Sequence, residues 1–87
     1  MKNEKPVLDY SVKIRKVDDI LYAVKRNNAW EINDVTKEMM RRCNGEKTIV
    51  EIAEEIAEFY KTDKKEVLMD CEKIFGYFIQ EKLLILT

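Results

Sequence analysis

The chain has 87 residues, 16 basic and 17 acidic, for a net charge of −1, and the two signs interleave rather than forming blocks. One small domain with one core fits that length, and the interleaving argues against nucleic acid, whose phosphates call for clustered Lys and Arg. There is no His, Ser11 is the sole serine, and Cys43 and Cys71 lie 28 positions apart, so the sequence offers no usual general base, no metal site and no redox pair.

In chain order, residues 1–9 are expected to be a flexible segment, polar from Met1 to Lys5 and closed by Pro6 ahead of Val7 and Leu8. The folded domain is placed at 10–87. A first strand is expected where Val12 and Ile14 alternate with Lys13 and Arg15, and Asp18-Asp19 is its turn. Ile20-Leu21-Tyr22-Ala23-Val24 then forms a second strand and Trp30-Glu31-Ile32-Asn33 a third. A two-residue Asn27-Asn28 loop sets Val24 against Glu31 and Lys25 against Trp30. A loop of three or five residues instead brings Tyr22, Val24, Trp30 and Ile32 to one face, so the expectation is an odd-length loop with an Asn in the left-handed region.

The first helix is expected to start at Asn33 or Asp34, pass through Met39 and Met40, and stop at a left-handed Gly45. Thr48-x-x-Glu51 reads as a capping box opening a second helix, with Ile49, Ile52, Ala53, Ile56, Ala57 and Tyr60 on one stripe. Asp63-x-x-Glu66 is a similar signal for a third helix, whose Val67, Leu68, Cys71, Ile74, Phe75, Phe78 and Ile79 make a stripe wider than one sheet face requires. Gly76 inside that helix is read as close packing against a neighbouring helix. Leu83-Leu84-Ile85-Leu86 either finishes the helix or returns as an extended segment. No apolar run approaches the ~20 residues needed to span a bilayer, and no signal sequence is visible, so a cytoplasmic protein with no membrane partner is expected.

The order of elements, a small antiparallel sheet followed by helices, leaves an edge strand able to accept another chain. With these elements placed, Ile32-Asn33, the run Cys43-Asn44-Gly45-Glu46-Lys47-Thr48-Ile49-Val50-Glu51-Ile52-Ala53, then Phe59-Tyr60, Val67, Asp70, Phe78 and Leu83-Leu84 give a pattern that resembles the PqqD-like family over roughly residues 10 to 86. Ile32 stands where that family usually has Leu, and Asn44 where it usually has Asp. The resemblance implies an α+β fold, winged helix-turn-helix-like, with a three-stranded antiparallel sheet followed by three helices. It also implies a recognition element that binds the leader of a ribosomally synthesised precursor peptide by strand addition at the third strand. A separate modifying enzyme, often of the radical SAM class, would then do the chemistry.

On that basis the backbone of Ala29, Trp30, Glu31, Ile32 and Asn33 is the expected ladder. Cys71, Ile74, Phe75 and Phe78 supply candidates for the apolar floor, and Lys73, Lys82 and Glu31 candidates for charged contacts at the rim. Trp30 and Phe78 are read first as core, because so small a domain has little else to build one from; Phe75 divides evenly between core and floor, and Lys73 and Lys82 are read first as ordinary solvated helix residues. No cofactor, metal or nucleic acid is expected, and the protein is read as a monomer or weak homodimer. A winged-helix DNA-binding regulator is the alternative; Glu66, Asp70, Glu72 and Glu81 beside Lys64, Lys65, Lys73 and Lys82 make the last helix too nearly neutral to favour it. An enzyme is the least favoured reading.

Overall fold

The computed structural model describes residues 3–87. Five strands and three helices follow one another as β1 (Pro6–Leu8), β2 (Lys13–Val17), β3 (Ile20–Lys25), β4 (Asn28–Ile32), α1 (Asp34–Arg41), α2 (Ile49–Tyr60), α3 (Lys64–Gln80) and β5 (Leu84–Leu86). β2-β3-β4 is the expected three-stranded antiparallel sheet, with β4 as the third strand of the sequence reading and an edge. The fold is α+β, as the sequence implies.

Pro6–Leu8, expected within the flexible lead, is instead a strand. It pairs antiparallel with β5 in the register Pro6↔Leu86, Val7↔Ile85, Leu8↔Leu84. The terminal apolar run therefore returns as an extended segment, and its Leu83 and Leu84 enter the core. On its other side β1 meets the loop after α1: Leu8 N–H donates to the Cys43 carbonyl at 2.9 Å and Gly45 N–H to the Pro6 carbonyl at 3.1 Å. Met1 and Lys2, the start of the proposed flexible segment, lie outside the described residues.

Gly45 does take a positive φ of 82°, but it does not end the helix. α1 stops at Arg41, and Gly45 lies in the loop, where an added Cβ would stand 2.9 Å from Val7 Cγ2. Its bare Cα is what lets the loop lie against β1.

The β3–β4 hairpin also departs from expectation. Lys25 pairs with Asn28, Val24 with Ala29, Ala23 with Trp30, Tyr22 with Glu31 and Leu21 with Ile32, so the loop is the two-residue Arg26-Asn27. Arg26, not an Asn, is left-handed at φ 55°. Trp30 and Ile32 share the core face with Leu21 and Ala23, while Tyr22 and Val24 lie on the outer face. The physical reason is Ala23: fully buried, it leaves the room opposite Trp30 that the tyrosine ring would otherwise occupy. The Asp18-Asp19 turn is as read, with both residues at positive φ.

Each helix begins where its cap signal stands. Asn33 accepts from Thr36 N–H at 2.8 Å, and Thr48 and Glu51 form the reciprocal capping box. Asp63 caps α3 through Lys65 N–H at 3.4 Å rather than through a bond to Glu66. Ile49, Ile52, Ala53, Ile56 and Ala57 of α2 are buried, whereas Tyr60, expected on the same stripe, is exposed beside Phe59. Ile52, Ile56, Met39, Met40, Phe75 and Leu83 form the centre of the core. Arg42 reaches across from the end of α1 to α2, pairing with Glu38 at 2.8 Å and Glu55 at 3.0 Å, and Lys47 also pairs with Glu55 at 2.9 Å. Gly76 has no helix against it: an added Cβ would meet nothing within 4 Å, which overturns the packing explanation.

Candidate functional site

β4 has β3 on one side only. A two-residue loop makes Lys25 and Asn28 a mutually hydrogen-bonded pair, and bonding alternates along an antiparallel ladder. Asn28, Trp30 and Ile32 therefore spend their backbone groups on β3, while the N–H and C=O of Ala29 and Glu31 point away from the sheet. The next residue, Asn33, is committed to capping α1.

α3 runs beside this edge. Its C-terminal turn is anchored at the hairpin, where Lys25 Nζ donates to the Lys82 carbonyl at 2.7 Å, so the helix passes back along β4 in the opposite direction. Between the two lies a groove of about 750 Å³, lined by Ala29, Trp30, Glu31, Ile32, Asn33 and Thr36 on one side and Lys73, Ile74, Tyr77 and Phe78 on the other. Trp30 and Ile74 are half-buried, Phe78 and Ile32 are buried, and Tyr77 is 49% exposed, so the floor is apolar and anchored in the core. That volume lies in the range of concave binding sites, and its open edge suits an extended ligand better than a compact one.

Of the candidates named from sequence, Ala29, Trp30, Glu31, Ile32, Asn33, Lys73, Ile74 and Phe78 come together here. Three do not. Cys71 and Phe75 are fully buried on the core side of α3; with Val67 and Phe78 they form the stripe that packs inward, and Ile74 lies at the groove-side margin of that stripe. Lys82 sits past the end of α3 with φ 64°, against Asp9, Lys25 and Leu84 at the far end of the helix. Thr36 and Tyr77 were missed. Tyr77 could have been found as the residue four after Lys73 and three after Ile74, hence on their side of the helix; Thr36 follows from the cap at Asn33, which turns the first turn of α1 back toward the strand end.

The groove holds little charge. Lys73 and Glu31 are its only ionisable side chains apart from the Tyr77 phenol, and neither forms an ion pair among the described residues. Burial pushes the thiols of Cys43 and Cys71 up to about 12, away from the thiolate form, and both lie in the core, outside the groove. Among the described residues no group of three or more His, Cys, Asp or Glu side chains could hold a metal, and no helix is long and apolar enough to cross a membrane.

The family model for coenzyme PQQ synthesis protein D (PqqD) matches residues 20–84. No curated protein matches the sequence at a significant level. Among solved structures, the fold is similar to that of the PqqD truncation of Methylobacterium extorquens PqqCD, described as a functional, stand-alone recognition element for ribosomally synthesised and post-translationally modified peptides. The TM-score is 0.83 at 16% identity, covering 98% of this chain and 93% of that one. At that identity the likeness bears on the fold alone.

Proposed function

The chain belongs to the PqqD family, and from that premise we propose that it is a non-catalytic recognition element that binds the leader segment of a ribosomally made precursor peptide. The leader adds as a strand to β4 and lies in the groove against α3. The observation that carries this reading is the coincidence of the free backbone groups of Ala29 and Glu31 with an apolar groove along the same edge. Backbone bonds hold an extended chain whatever its sequence, and alternate side chains entering the groove do the reading. The M. extorquens relative of the same fold, described as a recognition element, supports it.

The chemistry would be done elsewhere. Bound leader tethers the modifiable segment near a partner enzyme, for which a radical SAM protein is the leading candidate, and raises its effective concentration there. If modification ran at the same rate without this protein, the tether would have no role.

The direct test is isothermal titration against the leader of a candidate precursor peptide, sought as a short open reading frame beside this gene. Wild-type protein binds; Glu31→Pro, which removes an outward amide at an edge position where proline is tolerated, keeps its circular dichroism spectrum and loses affinity at least about tenfold. Full affinity in a folded Glu31→Pro variant would overturn strand addition.

A further inference from the structure

The groove's two unpaired charges fall on opposite faces of the sheet. Glu31 lies opposite Tyr22, which lies opposite Arg15, so its side chain belongs to the outer face. Lys73 comes from α3, which covers the inner face. The position of Lys73 along the strand also follows. Lys82 is bonded to Lys25, the partner of Asn28 at the start of β4. Lys73 lies seven residues before Gln80, where α3 ends, roughly 10 Å back along the helix, which is about three strand residues and takes it toward the Ile32 end of β4. Asn33 and Thr36, just beyond that end of β4, line the same groove.

An added strand alternates its side chains between these same two faces. We propose that the ligand is read by parity: apolar and acidic side chains on its groove face, the acid at the level of Ile32 beside Lys73, and a basic side chain on its outer face at the level of Glu31. This deepens, and rests on, the strand-addition reading. Because Ile32 and Glu31 are adjacent, the ligand's acid and base are neighbours in sequence, and the apolar residue that meets Trp30 and Phe78 comes next on the other side of the base. The same three residues in reverse order serve a strand of opposite polarity. Bound, each of the two protein charges gains the partner it lacks in the free protein.

Two nine-residue peptides test this without knowledge of the natural ligand, because each reads alike from both ends and they share composition and zero net charge: Thr-Val-Lys-Asp-Thr-Asp-Lys-Val-Thr and Thr-Val-Asp-Lys-Thr-Lys-Asp-Val-Thr, both with blocked termini. Trp30, the single tryptophan, reports binding by its fluorescence. The first peptide is expected to bind about fivefold tighter than the second, which can pair both charges only through its Thr-Lys-Asp triplet and then sets threonine instead of valine against Trp30 and Phe78, and the Lys73→Glu/Glu31→Lys double variant is expected to invert the order. Equal binding of both peptides to the wild-type protein, or an unchanged order in the double variant, overturns the parity rule while leaving strand addition standing. Binding of neither peptide counts against both.

Discussion

Lys25 Nζ donates a 2.7 Å hydrogen bond to the carbonyl of Lys82, 57 residues away, and pairs with the Asp9 carboxylate at 3.4 Å. One side chain thereby joins the hairpin, the end of α3 and the segment between β1 and β2. It fixes the distance between the β4 edge and α3 at the hairpin end of the groove.

Lys25→Met keeps most of the length of the side chain and removes the charge. With both polar partners left near solvent, the expected loss is about 1 kcal/mol of folding free energy, read as a lower urea midpoint with unchanged slope. Leader affinity is expected to fall with it, because the wall that α3 forms is no longer held. Unchanged unfolding and binding would show that the contact positions nothing.

The two glycines are expected to respond in opposite directions. Gly76 lies in a helix with open space around it, so Gly76→Ala stabilises the protein by about 0.5–1 kcal/mol through helix propensity. Gly45 combines φ 82° with a 2.9 Å approach to Val7 Cγ2, so Gly45→Ala destabilises by about 1–2 kcal/mol. Thermal unfolding of the two variants separates them.

Asp9, Glu38, Glu51 and Glu55 all have their pKa values lowered in the folded chain. A hydrogen bond from Ser11, helped by Lys25, acts on Asp9; Arg42 acts on Glu38, the Thr48 backbone on Glu51, and Lys47 on Glu55. For a carboxylate held below its ordinary value, the stabilisation is complete above the unfolded pKa and is lost as pH falls through the folded one. Urea midpoints are therefore expected to hold from pH 7 to about 5 and to fall below about 4. A midpoint that rises on acidification would contradict these assignments.

Much of the fold was legible because caps are local. Asn33, Thr48, Glu51 and Asp63 each act within three residues of themselves, so their spacing alone announces the three helices. The hairpin register was not legible, because both parities of Ile20-Leu21-Tyr22-Ala23-Val24 are apolar, and grouping the aromatics picked the wrong one. Its turn was hidden as well, since an arginine holds the left-handed position. The β1–β5 pair joins opposite ends of the chain and leaves no local trace beyond a few apolar residues. At the groove, β4 and α3 were legible as elements from their patterns, and their pairing as its two walls came from the resemblance to the PqqD-like family. Which face of α3 lines it was not, since Cys71, Ile74, Phe75 and Phe78 form one continuous apolar stripe until the core claims Cys71 and Phe75.

The amide hydrogens of β4 test the central claim most directly. In the free protein Trp30 and Ile32 are bonded to β3, while Ala29 and Glu31 face outward. Residue-resolved hydrogen exchange with and without the precursor peptide is expected to show slow Trp30 and Ile32 in both states, and fast Ala29 and Glu31 amides that become protected on binding. A peptide that binds while Ala29 and Glu31 continue to exchange freely would contradict strand addition at this edge.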